Sequence, residues 1–233
     1  MNYTVRFKIF GLALLMFLLA GLVAFFAVKN SEALDGRDNK RELIITMLEA
    51  RKSEKEFFIE RNLERVKEVK SAGSRFYALL AKEKDQTSAL KLRNAMSNYQ
   101  STFDVVVNKK IERGLDENHG AEGILRDAVH ATEARVKKLD QKDLLIYMLQ
   151  ARRSEKDFIL RNRQEYIDKV HRAVDSFRVH TQDSVLLRLI DTYVTNFNGV
   201  VRLTHETDSL THVFYGAIGE VEPLTIASLH REE

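Results

Sequence analysis

From residue 44 onward, apolar and polar positions alternate along the chain in steps of three and four, and the pattern is written twice. ITMLEARKSEKEFFIER (Ile45–Arg61) returns as LIYMLQARRSEKDFILRN (Leu145–Asn162). Met47, Leu48, Ala50, Arg51, Ser53, Glu54, Lys55 and Phe57 recur as Met148, Leu149, Ala151, Arg152, Ser154, Glu155, Lys156 and Phe158, with Arg51 and Arg152 standing 101 residues apart. So many identities at one constant offset are an internal duplication. Ile44, Met47, Arg51, Glu54 and Phe58 share one helical stripe, as do Leu145, Met148, Arg152, Glu155 and Ile159. That spacing is the a/d seam of a helix packed in a bundle.

The same period predicts the rest of the chain. A helix opening near Ser31 or Asp35 carries the first motif and turns at Asn62; Leu63–Ala81 forms a second, with Val66, Val69, Phe76 and Leu80 inward. Lys82–Thr87 is a charged turn with Asp85 or Thr87 as N-cap. Leu92, Met96, Tyr99, Phe103 and Val106 then form a seam that Leu186, Ile190, Tyr193, Phe197 and Val200 repeat. Gly114, Gly120 and Gly123 either end this third helix or let it bend; the matching segment, 203–219, keeps its period, so the expectation is one kinked helix over 88–138. Leu139-Asp140-Gln141 is a turn with Asp140 as N-cap, the second motif helix runs over 141–161 to a turn at Asn162, and Tyr166–His180 is its partner. After a turn at Thr181–Asp183 a last long helix begins near Ser184, to be kinked by Pro223.

Before all this, Ile9–Val28 is an uncharged run of Leu, Phe, Ala and Val, about the twenty residues a bilayer core requires. Arg6 and Lys8 precede it and favour a cytoplasmic N-terminus. A cleaved signal peptide is the other interpretation, but its apolar core is usually shorter. The expected layout is a cytoplasmic 1–8, a transmembrane helix over 9–28, and an exported domain over 31–233 with halves of about 41–138 and 141–233. In a Gram-negative cell that domain is periplasmic and the chain sits in the inner membrane. Six exported helices also return the C-terminus to the membrane that the first one left.

Composition sharpens the picture in three ways. One Pro and ten Gly among 233 residues argue for long helices, so the fold class is all-α. The absence of Cys removes disulfides and Cys-ligated metals. The 37 basic and 34 acidic side chains are interspersed, which is the solvated face of helices and gives no footprint for nucleic acid. The seven histidines form no zinc-hydrolase pattern, and neither a phosphate loop nor a nucleophile elbow occurs, so no enzyme, cofactor or metal is expected. His205 and His212 lie two turns apart, and exposed side chains explain them best.

The candidate chemistry lies in the charges that interrupt the motif seam. Burying an ion costs several kcal/mol, roughly, unless it is paired or meets a ligand. Arg51 with Glu54, and Arg152 with Glu155, are therefore either register-setting pairs or ligand-binding residues facing a polar gap. A guanidinium suits a carboxylate because its planar fork binds both oxygens.

The duplicated ARKSEKEFFIERN and ARRSEKDFILRN after a membrane anchor resemble the helical bimodular sensor domain of bacterial methyl-accepting chemotaxis receptors and some sensor histidine kinases. The resemblance covers about 31–233. It implies six helices, four short and two long, forming two stacked four-helix bundles, and small organic anions bound between helices with arginines at the Arg51 and Arg152 positions taking part. Where carboxylate-binding members can carry a second arginine one turn on, this chain has Glu54 and Glu155, so each site offers one positive charge fewer and a dicarboxylate fits less well. The expected function is a membrane-anchored, homodimeric ligand sensor for chemotaxis-type signal transduction, either as the sensor part of a receptor or as a truncated one. The alternative is a helical spacer that dimerises or docks a periplasmic binding protein.

Overall fold

The computed structural model describes residues 3–229, with side chains from Met16 onward except Phe17, Glu32, Ala33 and Leu229. Among these residues the chain is all-helical: α1 (Tyr3–Glu60), α2 (Leu63–Leu80), α3 (Gln86–Arg113), α4 (Gly120–Lys138), α5 (Lys142–Arg161), α6 (Gln164–Val179) and α7 (Ser184–Leu229). It forms two compact units, Met1–Ser97 with Gly219–Glu233, and Asn98–Ile218.

The expected break near Ser31 is absent, because α1 passes unbroken through residues 31–38. A lone Gly36 costs about 1 kcal/mol in a helix interior, too little to stop a helix without a proline. Much of the predicted membrane span, Ile9–Leu15 and Phe17, lies outside the residues whose side chains are described. Among the described residues, no helix is long and apolar enough to cross a membrane.

In the first unit α1 and α2 make an antiparallel hairpin whose buried line is Leu43, Met47, Ala50, Glu54 and Phe57. The expected stripe through Ile44, Arg51 and Phe58 is therefore one residue off centre. Small Ala50 and Ser53 occupy the seam and admit the facing helix closely, so the large apolar side chains beside them flank the contact. Between the helices Arg61 takes φ 55, and Asn62 caps α2 by accepting from the Glu64 N–H at 3.0 Å. Its offset counterpart is Arg163, and it is Asn162 that matches Arg61, with φ 47. Asp85 caps α3 as expected, accepting from the N–H of Thr87 at 3.0 Å.

In the second unit four helices share one core. Leu125, Val129 and Val136 of α4 meet Met148 and Phe158 of α5, Val170 and Phe177 of α6, and Leu186, Ile190, Tyr193, Phe197 and Val200 of α7. The repeated seam of the long helices is buried as expected: Leu92, Met96, Tyr99, Phe103 and Val106 are at most 2% exposed, and the α7 set is fully buried.

The kinked helix over 88–138 does not form. Gly114 takes φ 127, a conformation that favours glycine, and the loop 114–119 separates α3 from α4. Asp116 closes the loop by accepting from the Asn118 N–H at 2.8 Å, an Asx turn. Asp140 is not an N-cap either: with φ 54 it is the left-handed residue just after α4, and Gln141 precedes α5 without a side-chain cap. Asp183 does cap α7, accepting from the N–H groups of Val185 and Leu186, both at 2.9 Å. The α7 helix continues past Pro223 to Leu229.

Candidate functional site

The two motif copies place their arginines alike on the backbone and differently in charge. In the first unit Arg51 donates to Glu54, one turn on in α1, and lies 3.5 Å from Glu222 of α7. Glu54 is 1% exposed, so this pair is closed into the core. Arg152 instead reaches across to Glu133 of α4, donating through Nη1 at 2.8 Å. Neither guanidinium lies on the water-washed surface; the side chains are 14% and 25% exposed.

The partners from the long helices correspond. Tyr99 and Tyr193 stand 94 residues apart, whereas the buried Ala128 and Ala217 stand 89 apart, so the first half holds five extra residues between these points. The loop 114–119 is where they fall. An offset of 89 then aligns Leu125 with Phe214, Val129 with Ile218 and Val136 with Thr225, all buried. It also aligns Glu133 with Glu222. Each motif arginine thus meets the acid at the same aligned position, Glu222 of α7 or Glu133 of α4, but only Arg51 also binds its own glutamate.

The consequence in the second unit is a set of unanswered polar atoms. Four buried side-chain atoms lack a hydrogen-bond partner among the described residues, and three of them are Arg152 Nε, Glu155 Oε2 and the Tyr193 hydroxyl. The phenol and the Glu155 carboxyl face each other without a well-formed hydrogen bond. Burial pushes the Glu155 pKa up to about 7, against the opposing pull of the Tyr193 hydroxyl and the Arg152 charge. Burial, then the neighbouring Glu155, hold the Tyr193 phenol well above its usual range, so it stays a neutral donor.

Arg152 and Glu155 open onto a cavity of about 440 Å³ between α4 and α5, with Leu125, Arg126, Val129 and Lys156 also in its wall. Glu117 of the inserted loop completes it. The loop is held down by Arg113–Glu122 at 2.8 Å and by Arg126 donating to Asn118 at 2.9 Å. Its glycines are needed for close approach: a Cβ on Gly123 would stand 2.4 Å from the Asn118 carbonyl, and one on Gly120 would stand 2.7 Å from that of Glu112.

Of the four residues the sequence singles out, the structure brings Arg152 and Glu155 to one cavity and locks Arg51 and Glu54 together. Glu133, Glu222 and Tyr193 were not among the expected site residues. Tyr193 reads as core from its seam position, which it also is; the one advance signal is that a buried phenol requires a partner. His205 and His212 are exposed, and among the described residues no three His, Asp or Glu side chains gather as metal ligands. Comparison of the chain with protein-family models, with curated proteins and with solved structures gives no match.

Proposed function

We propose that this chain is an extracytoplasmic ligand-sensing module, anchored in the inner membrane by Ile9–Val28 and resembling the helical bimodular sensors of chemoreceptors and histidine kinases. It binds a small organic anion in the second half only, at Arg152 and Glu155. The observation that carries this is that two residues with unpartnered buried polar atoms, Arg152 and Glu155, line one cavity, with the buried Tyr193 hydroxyl beside Glu155. Each such atom costs about 1–3 kcal/mol while unpaired. A carboxylate accepts from Arg152 Nε and from protonated Glu155, whose carboxyl faces the Tyr193 hydroxyl. A carboxyl displaced toward neutral pH beside a charge partner in a cleft marks a candidate binding site.

The finer fold that goes with this function is a pair of stacked four-helix bundles, each built from one short hairpin and segments of the long helices. Its support is the length of α7, 46 residues or about 69 Å, and the division of α3 and α7 between the two units. Ligand binding at α5 shifts its packing on α4 and α7, and α7 carries that shift toward the membrane in a homodimeric receptor.

A panel of mono- and dicarboxylates tested by thermal shift on the chain is the first experiment. A binder raises Tm by mass action, and Arg152→Ala removes the rise while Arg51→Ala keeps it. No shift across the panel sinks the proposal.

The closed Arg51–Glu54 pair favours a second reading, in which the chain is a helical spacer that dimerises or docks a periplasmic binding protein. The double replacement Arg152→Met with Glu155→Leu is then neutral or stabilising, with function intact.

A further inference from the structure

The duplication supplies an internal control for a different surface, the groove between the two helices of each hairpin. The offset of 101 extends through both short helices, since Val66, Val69, Ala72 and Phe76 of α2 match Ile167, Val170, Ala173 and Phe177 of α6 in burial. Groove positions can therefore be compared one by one on the same local fold.

In the α1–α2 hairpin the groove is closed by its own charges. Arg75 donates to Glu49 at 2.5 Å, Ser53 donates to Glu68 at 2.8 Å, and Lys52 lies 3.8 Å from Glu56. Lys52, Arg75 and Arg65 there answer the three carboxylates of Glu49, Glu56 and Glu68, Arg65 lying 3.3 Å from Glu56 and 3.0 Å from Glu68. In the α5–α6 hairpin Glu49 becomes Gln150, Glu68 becomes Lys169, Ser71 becomes Arg172 and Arg75 becomes Ser176. The groove then has a volume of about 420 Å³, lined by Arg153, Ser154, Asp157, Lys169, Arg172 and Ser176 among others. Three cations line it with the single carboxylate of Asp157, which pairs with Arg161 at 3.8 Å; outside the lining, Glu165 lies 3.8 Å from Lys169, whose ammonium stands 4.9 Å from the Tyr166 ring centre. The replacements remove both groove-closing pairs and put Lys169 at the position where Glu68 accepts from Ser53.

We propose that the α5–α6 groove is a second anion site, independent of the cavity at Arg152, which takes a tetrahedral oxyanion of the phosphate or sulfate class. Two guanidinium forks and an ammonium from facing helices satisfy such an ion from several directions, and the two serine hydroxyls donate to its remaining oxygens. A simple solvated face, by contrast, would not require loss of the acids that close the other hairpin.

Equilibrium dialysis of radiolabelled inorganic phosphate against the full chain at low ionic strength tests this. The expected result is one phosphate per chain, displaced by sulfate, with affinity falling as salt rises. Lys169→Glu, which restores the residue of the first hairpin, lowers affinity at least about tenfold. Arg163→Glu, an equal charge change outside the groove, alters it less than about twofold, and Arg152→Ala leaves it in place. Glycerol 3-phosphate binding more tightly than inorganic phosphate assigns the site to a phosphate monoester; the reverse order assigns it to the free ion. Absence of binding for both, or equal losses from Lys169→Glu and Arg163→Glu, overturns the proposal.

Discussion

In the first copy of the motif Arg51 turns back onto Glu54; in the second Arg152 reaches out to Glu133 and leaves Glu155 behind. The residues are the same, and so is their spacing along the helix. What differs is the neighbour: α4 begins after a five-residue insertion, and the inserted loop widens the polar space beside α5. A motif of Arg and Glu one turn apart is thus not a site by itself. The second copy becomes a candidate because Arg152 turns to Glu133 and leaves the Glu155 carboxyl without an ion pair.

The largest expected effect is on the closed copy. Arg51→Met removes the guanidinium beside a carboxylate that is 1% exposed, and should cost about 3–5 kcal/mol in urea unfolding. Arg152→Met strands Glu133, which is 12% exposed, and a Glu155 already displaced toward its neutral form, so the loss should be about half as large. Equal losses would erase the distinction between the copies.

The insertion comes next. Gly114→Ala places a Cβ 2.4 Å from the His119 carbonyl at a φ of 127, and should destabilise by about 1–3 kcal/mol. It should also weaken ligand binding in the second unit. An adjacent-site control, Gly216→Ala in α7, meets no atom within 4 Å and should be neutral or mildly stabilising. Thermal unfolding of the two variants side by side separates the loop from the helix.

Glu155 gives a pH signature of similar or smaller size. Its folded pKa of about 7 exceeds the unfolded value near 4.5, so the native state binds the extra proton. Stability is therefore greatest below pH 4.5 for this group, and is lost as pH rises through the window up to about 7, by at most about 3 kcal/mol. Glu155→Gln should abolish that loss, matching the wild type at pH 4 and exceeding it at pH 8 in denaturant melts. A variant less stable than the wild type at pH 8 would mean that the carboxylate is held by its partners.

Much of this was legible before any coordinates. The apolar seam of the long helices, the offset of 101 and the cap at Asp85 follow from side chains that act locally. The motif register was missed by one residue because Ala50 and Ser53, being small, carry little apolar signal yet let helices approach most closely. Asp140 was misplaced because Asp suits both an N-cap and a left-handed turn, and the packing of α4 decides between them. Arg152 and Glu155 could be named from the seam. Their divergence from Arg51 and Glu54 could not, since Glu133 and Tyr193 arrive from other helices and no local pattern encodes which acid a guanidinium will meet.

The openness of the second copy can be read without knowing the ligand, by following the Glu155 side-chain carboxyl in a carbon-detected NMR pH titration of the free chain. A midpoint close to 7, moving when Tyr193→Phe or Arg152→Ala is introduced, is the predicted result. A midpoint in the ordinary carboxylate range of about 4–5, unmoved by either change, would show that the site is already satisfied and would contradict the account.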